Sequence, residues 1–169
     1  MLFGKKEQFA VEFELDASHG GAWLFGRFGY WIGGELVGDY DAGASLRDVL
    51  FQMKYIIGDA GKRSFPRLAE LPALEIFRLV SDALSERNSD IDQYVSPDFV
   101  PAYLDVGIPM DIFSSWDVFL VEGRGEAKLI CRKDGLVDIG CTILQVGEFD
   151  SVVLAAQGEL ESLLAKEVG

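Results

Sequence analysis

Histidine is almost absent from this chain: His19 is the only one in 169 residues, and there are just two cysteines, Cys131 and Cys141. Without a second imidazole there is no His pair for a transition metal, and the cysteines lack the spacing of a zinc site. A Ser-His-Asp or Cys-His centre would have to use His19. That residue lies in a Gly-flanked turn, where neither strand nor helix fixes its ring, so it reads as an exposed turn residue. No metal and no cofactor is expected. Basic residues are also scarce, 15 Lys and Arg against 28 Asp and Glu, for a formal net charge of -13. That sign repels phosphate backbones and argues against nucleic acid as a direct partner. No apolar run reaches the ~18–20 residues of a membrane span. The start Met1–Glu7 has no apolar stretch after its Lys5-Lys6 pair, so no secretory signal is read there. The expectation is a cytoplasmic protein that does not engage a membrane, and two free thiols fit a reducing compartment.

What is present is enough for a core. Hydrophobic residues make up 49% of the chain and aromatics 12%, well above the composition of disordered segments. At this length one domain spanning residues 1–169 is expected.

Residues Gln8 to Asp16 alternate, with Phe9, Val11, Phe13 and Leu15 on one side and Gln8, Glu12, Glu14 and Asp16 on the other. Period two predicts a half-buried strand. Ala22 to Ile32 reads as a second strand, apolar on both faces and therefore central or covered twice. Gly33-Gly34 predicts a hairpin turn and Glu35 to Asp41 the returning strand. Gly33–Gly38 is neither a GxGxxG nor a Walker pattern, and it joins two strands instead of opening a helix. The period then changes. Ser45 caps a helix with Asp48 in the reaching-back position, and Leu46, Val49, Leu50, Met53, Ile56 and Ile57 share one face. Pro72 opens a second helix with the stripe Leu74, Phe77, Val80 and Leu84.

Trp116–Glu122, Glu126–Lys133 and Leu136–Val146 form a second meander, followed by a helix over about Asp150–Lys166. With Asp134-Gly135 as a two-residue turn, Cys131 faces Asp138 and Cys141 faces Lys128. The two thiols then lie on opposite sheet faces, both free and buried. The order of elements predicts an α+β fold, a mostly antiparallel sheet of about six strands in two meanders with about three helices packed on it. The edge strand Gln8–Asp16 could pair between copies, although Glu12 and Glu14 oppose that.

The stretch Asn88–Asp117 stands apart. It holds Pro97, Pro101 and Pro109, no Lys or Arg, and the acids Asp90, Asp92, Asp98, Asp105, Asp111 and Asp117, with Tyr94, Phe99, Tyr103 and Phe113 between them. Surplus carboxylates steer a basic partner and rings supply buried contact area. A connection this long is functional or mobile. The expected interface is Asp90, Asp92, Tyr94, Asp98, Tyr103 and Asp105, with Asp39 and Asp41 as a second contact. The pairs Asp90-x-Asp92 and Asp39-x-Asp41 do not continue into a calcium loop. A carboxylate-pair hydrolase and an acidic scaffold with another protein partner remain alternatives at this stage.

The run Phe28-Gly29-Tyr30-Trp31-Ile32-Gly33-Gly34-Glu35-Leu36-Val37-Gly38-Asp39-Tyr40, set between the Phe9–Leu15 strand and Ser45-Leu46-Arg47-Asp48-Val49-Leu50, resembles the immunity protein 42 family of bacterial polymorphic-toxin systems. The resemblance is carried by the first ~55 residues. It implies a non-catalytic, cytoplasmic antitoxin that binds the C-terminal effector domain of a cognate toxin, as in contact-dependent inhibition. Many such effectors are nucleases with basic clefts, which an acidic inhibitor can fill. The resemblance carries no binding residues, so the interface above rests on charge and aromatic placement.

Overall fold

The computed structural model describes residues 1–169. Both expected meanders are present, each as its own antiparallel sheet. The first sheet contains β1 (Leu2–Gly4), β2 (Phe9–Leu15), β3 (Phe25–Ile32), β4 (Glu35–Val37) and the two-residue β5 (Ala44–Ser45). Its order is β1-β2-β3-β4, with β5 also pairing with β3. β2 is therefore interior, not the edge expected of Gln8–Asp16, because residues 2–4 add an outer strand. The second sheet is β6 (Trp116–Glu122), β7 (Glu126–Lys133) and β8 (Gly140–Gln145), in that order. The helices are α1 (Leu46–Gly58), α2 (Pro66–Ala69), α3 (Ala73–Leu84) and α4 (Glu148–Val168). None is long and apolar enough to cross a membrane.

Period two places Phe9, Val11, Phe13, Phe28, Tyr30 and Ile32 on one buried face of the first sheet. That face, α1, α4 and one face of the second sheet enclose the larger core cluster. The other face of the second sheet, through Phe119, Val121 and Ile130, meets α2, α3 and residues 91–104 in a second cluster. β6 is thus buried on both sides, which is why its sequence shows no polar alternation. Ser45 caps α1 as expected, the Asp48 N–H donating to its hydroxyl at 3.3 Å and satisfying a first-turn donor, but the Asp48 carboxylate does not reach back and instead accepts from Arg47 at 3.1 Å.

Three local expectations are revised. The second strand starts at Phe25, because Gly21–Trp23 is a 3-10 turn and Leu24 is left-handed at φ 52°. That turn buries Leu24 and leaves Trp23 and Phe25 stacked outside, 6.2 Å apart, with Trp23 49% exposed. In α3 the buried stripe is Ile76, Phe77, Leu79 and Val80, while Leu74 is 61% exposed; the stripe is rotated by the i, i+3, i+4 set that includes Ile76. The β7–β8 hairpin is wider than two residues. Cys131 pairs with Gly140 and Ile130 with Cys141, a shift of two positions, and Cys141 is exposed while Cys131 is buried. An even shift preserves faces, so the thiols remain on opposite faces, and both are free.

Candidate partner-binding surface

Residues 88–117 are anchored rather than loose. Short 3-10 turns form at Asp90–Tyr94, Pro101–Leu104 and Asp111–Phe113. Their apolar members face inward: Ile91 and Leu104 enter the second core cluster, and Val106, Ile108, Ile112 and Phe113 the first. Phe99 packs edge-on against Phe65 at 5.0 Å. The backbone is tied down as well. The Val106 N–H donates to the Val118 carbonyl at 2.9 Å, the Tyr30 hydroxyl donates to the Val106 carbonyl at 3.1 Å, and Arg63 Nε donates to the Tyr103 carbonyl at 2.8 Å. With the rings turned in, Asp90, Asp92 and Asp98 are left exposed.

The fold gathers the expected contact residues into two groups. Asp98 and Tyr103 line a cleft of about 400 Å³ with Lys62, Ser64, Phe65 and Ser96. Asp92 borders the adjoining cleft with Ser96, Pro97 and Phe99. Tyr94 is half-buried against the second core cluster. Asp90 lies 4.0 Å from Arg78, and Asp92, Asp98 and Asp105 have no basic side chain within that distance. The Ser96 hydroxyl, with a backbone bond, holds the Asp98 carboxyl below its ordinary pKa.

The second group is built around Asp105. It shares a cleft of about 360 Å³ with Asp111, Met110 and Trp116. Asp39 and Asp41 reach the same end of the molecule through Gly38. That residue adopts φ 104° and ends β4, and a Cβ there would stand 3.1 Å from the Phe113 ring, so the position needs glycine. The Asp39 N–H then donates to the Ile112 carbonyl at 2.6 Å. Asp39 therefore lies beside the Asp111–Phe113 turn, not beside Asp90, while Asp41 follows in the 3-10 turn Tyr40–Ala42.

Asp105 and its neighbour Asp117 are both disfavoured as anions. Partial burial, opposed by the Gly107 N–H and aided by Asp117, raises the pKa of Asp105 although its tip meets solvent. Partial burial, with Asp134 nearby and Arg132 opposing, raises that of Asp117. Asp117 lies directly across from Arg132 in the β6–β7 ladder, but that guanidinium stacks 4.3 Å over Phe77 instead of closing an ion pair. A carboxyl whose pKa is raised on folding is stabilised by protonation, so its ionised form destabilises the fold above that raised pKa. The stability is regained as pH falls through it toward the unfolded value. Asp117→Asn is therefore expected to raise the melting temperature at pH 7, on the order of 2 °C for a chain of this size. The gain should shrink on acidification and be absent near pH 3; a gain independent of pH would remove charge as its cause. Sequence reading grouped Asp105 with Asp90 and missed Asp134, because the β6–β7 register that brings Asp134 beside Asp117 is not encoded locally.

His19 lies at the foot of the exposed Trp23–Phe25 stack, and its Nε2 is 3.0 Å from Glu167 of α4. No nucleophile forms part of that contact. No set of three His, Cys, Asp or Glu side chains converges in a metal-holding geometry.

The family profile described as Immunity protein 42 matches residues 1–159. The crystal structure of CdiI from Burkholderia dolosa AUO158 is similar in fold, with a TM-score of 0.73 and 23% sequence identity over 94% of this chain and 99% of that one. No curated protein matches.

Proposed function

This chain belongs to the immunity protein 42 family, its role is toxin immunity through a cognate toxin, and we propose that it neutralises a basic effector domain, a nuclease, by occluding it without catalysis in the cytoplasm. The contact surface is Asp90, Asp92, Tyr94, Asp98, Tyr103 and Asp105, with Asp39 and Asp41 as the second contact. The observation that carries this reading is the row of anchored, outward carboxylates on residues 88–117, of which Asp92, Asp98 and Asp105 have no basic side chain within 4.0 Å. Anchoring matters because a preformed surface loses little conformational entropy on binding. The unneutralised charge supplies long-range attraction to Lys and Arg on the effector, and Tyr94 and Tyr103 supply packing between them.

The test takes as candidate effector the C-terminal domain of whichever secreted protein is encoded beside this chain. Its association rate with this chain, measured by stopped flow, is expected to fall at least about tenfold between roughly 20 mM and 150 mM ionic strength, because steering is screened over the Debye length. A rate insensitive to salt would remove electrostatic steering. Absence of any complex would overturn the proposal.

A further inference from the structure

The two edges of the second sheet are treated differently. The β6 edge is closed. Val106 donates to Val118, Glu122 donates to the Arg63 carbonyl at 2.9 Å, and Phe65 donates to the Glu122 carbonyl at 3.0 Å. The β8 edge pairs with β7 on one side and with no strand on the other. The Gln145 N–H donates to the Glu148 carboxylate at 2.9 Å, not to β7. Hydrogen-bonding direction alternates along an antiparallel ladder, so the outward set is Cys141, Ile143 and Gln145. The outward backbone groups of Cys141 and Ile143 have no partner within the chain.

Natural edge strands are blunted with Lys, Pro or bulges, and Gly140-Cys141-Thr142-Ile143-Leu144-Gln145 contains none of these. Two of the exposed side chains are apolar: Ile143 is 45% exposed, and Val137, in the loop entering the strand, is 88% exposed. Charge selects the occupant. Glu35 lies 3.8 Å from where a Cβ on Gly140 would stand, and Glu126 and Glu148 border the cleft at Ile143–Gln145, with Lys5 the one cation there. Two copies pairing β8 about a two-fold axis would bring the acids at one end against those at the other. A basic segment meets no such repulsion.

We propose that the free edge of β8 receives an extended strand of the toxin's effector domain by strand addition, a strand alternating apolar residues on the Cys141 and Ile143 face with Lys or Arg on the Glu35 face. Backbone hydrogen bonds to Cys141 and Ile143 hold the added strand, and its alternation reads the two faces. The proposal rests on the reading of this chain as a binder of a basic toxin and adds a second contact to the carboxylate surface.

Cys141 is a built-in probe, since it is the exposed one of the two thiols. In the complex with the cognate effector domain, alkylation of Cys141 by iodoacetamide is expected to slow at least tenfold relative to the free chain. Ile143→Pro removes an outward N–H without taking a bond from the β7 ladder, a place where an edge strand accepts proline. It should weaken binding at least tenfold while the melting temperature stays near that of the parent. Should that variant misfold, Ile143→Glu at the same exposed position is expected to weaken binding and serves in its place. Unchanged Cys141 reactivity, or variants that bind like the parent, would overturn strand addition. If such a complex still weakens when Asp90, Asp92, Asp98 and Asp105 become Asn, only this inference is lost; if no complex forms, the proposed function is lost with it.

Discussion

Arg63→Ala should destabilise the protein by about 3–5 kcal/mol, a fall in melting temperature on the order of 10 °C at this chain length. The side chain is fully buried and each of its nitrogens has a partner. Nε donates to Tyr103, Nη1 to Asp150 at 3.0 Å and Nη2 to the Ile56 carbonyl at 2.6 Å. One guanidinium thus joins the C-terminal turn of α1, the first turn of α4 and the acidic segment. Removing it leaves two carbonyls and the Asp150 carboxylate poorly hydrated and unpaired, which costs more than the ion pair contributes. Arg63→Met with Asp150→Leu removes charge from both partners and should recover part of the loss. Denaturant melts of the single and double variants measure this, and a single-variant loss below about 1 kcal/mol would show that water reaches the site and replaces the bonds.

Nothing local in the sequence announces Arg63. It reads as one cation in a basic connection, and its partners stand 7, 40 and 87 positions away. Features set by short-range physics were legible. The Ser45 cap, the α1 and α4 stripes, and the buried faces of β2 and β3 all follow from periodicity and capping. Distances along a ladder were not. Alternation places Cys131 and Cys141 on opposite faces in any even register, so it cannot distinguish the observed pairing from one two residues away. The candidate surface divides the same way. The acidic run with inward rings was readable as composition, whereas its separation into an Asp98–Tyr103 cleft and an Asp105–Asp39 end depends on Gly38 and Phe113 meeting. Trp23 and Phe25 looked like ordinary sheet residues; only the left-handed turn at Leu24 puts both outside. Leu136–Val146 hid its open edge because an apolar strand reads alike whether paired once or twice.

Changing Asp90, Asp92, Asp98 and Asp105 together to Asn is expected to weaken effector binding about 100- to 1,000-fold while leaving the melting temperature within about 2 °C. Asparagine keeps the shape and removes the charge, so the loss reports electrostatics rather than packing. The four positions should contribute unequally. Asp90 and Asp92 are exposed, and Asp90 already has Arg78 at 4.0 Å; rim charges of this kind act on the association rate and its salt dependence. Asp98 is exposed like them, whereas Asp105 is partly buried and a cation bound there would be dehydrated, so the loss of Asp105 should appear in the dissociation rate. Stability should hold because Asp105 is disfavoured as an anion in the free chain, so its neutralisation offsets the hydrogen bond that Asp98 gives up. Surface plasmon resonance on the parent and the fourfold variant separates the two rates. A variant that binds as tightly as the parent would place the toxin elsewhere on the molecule.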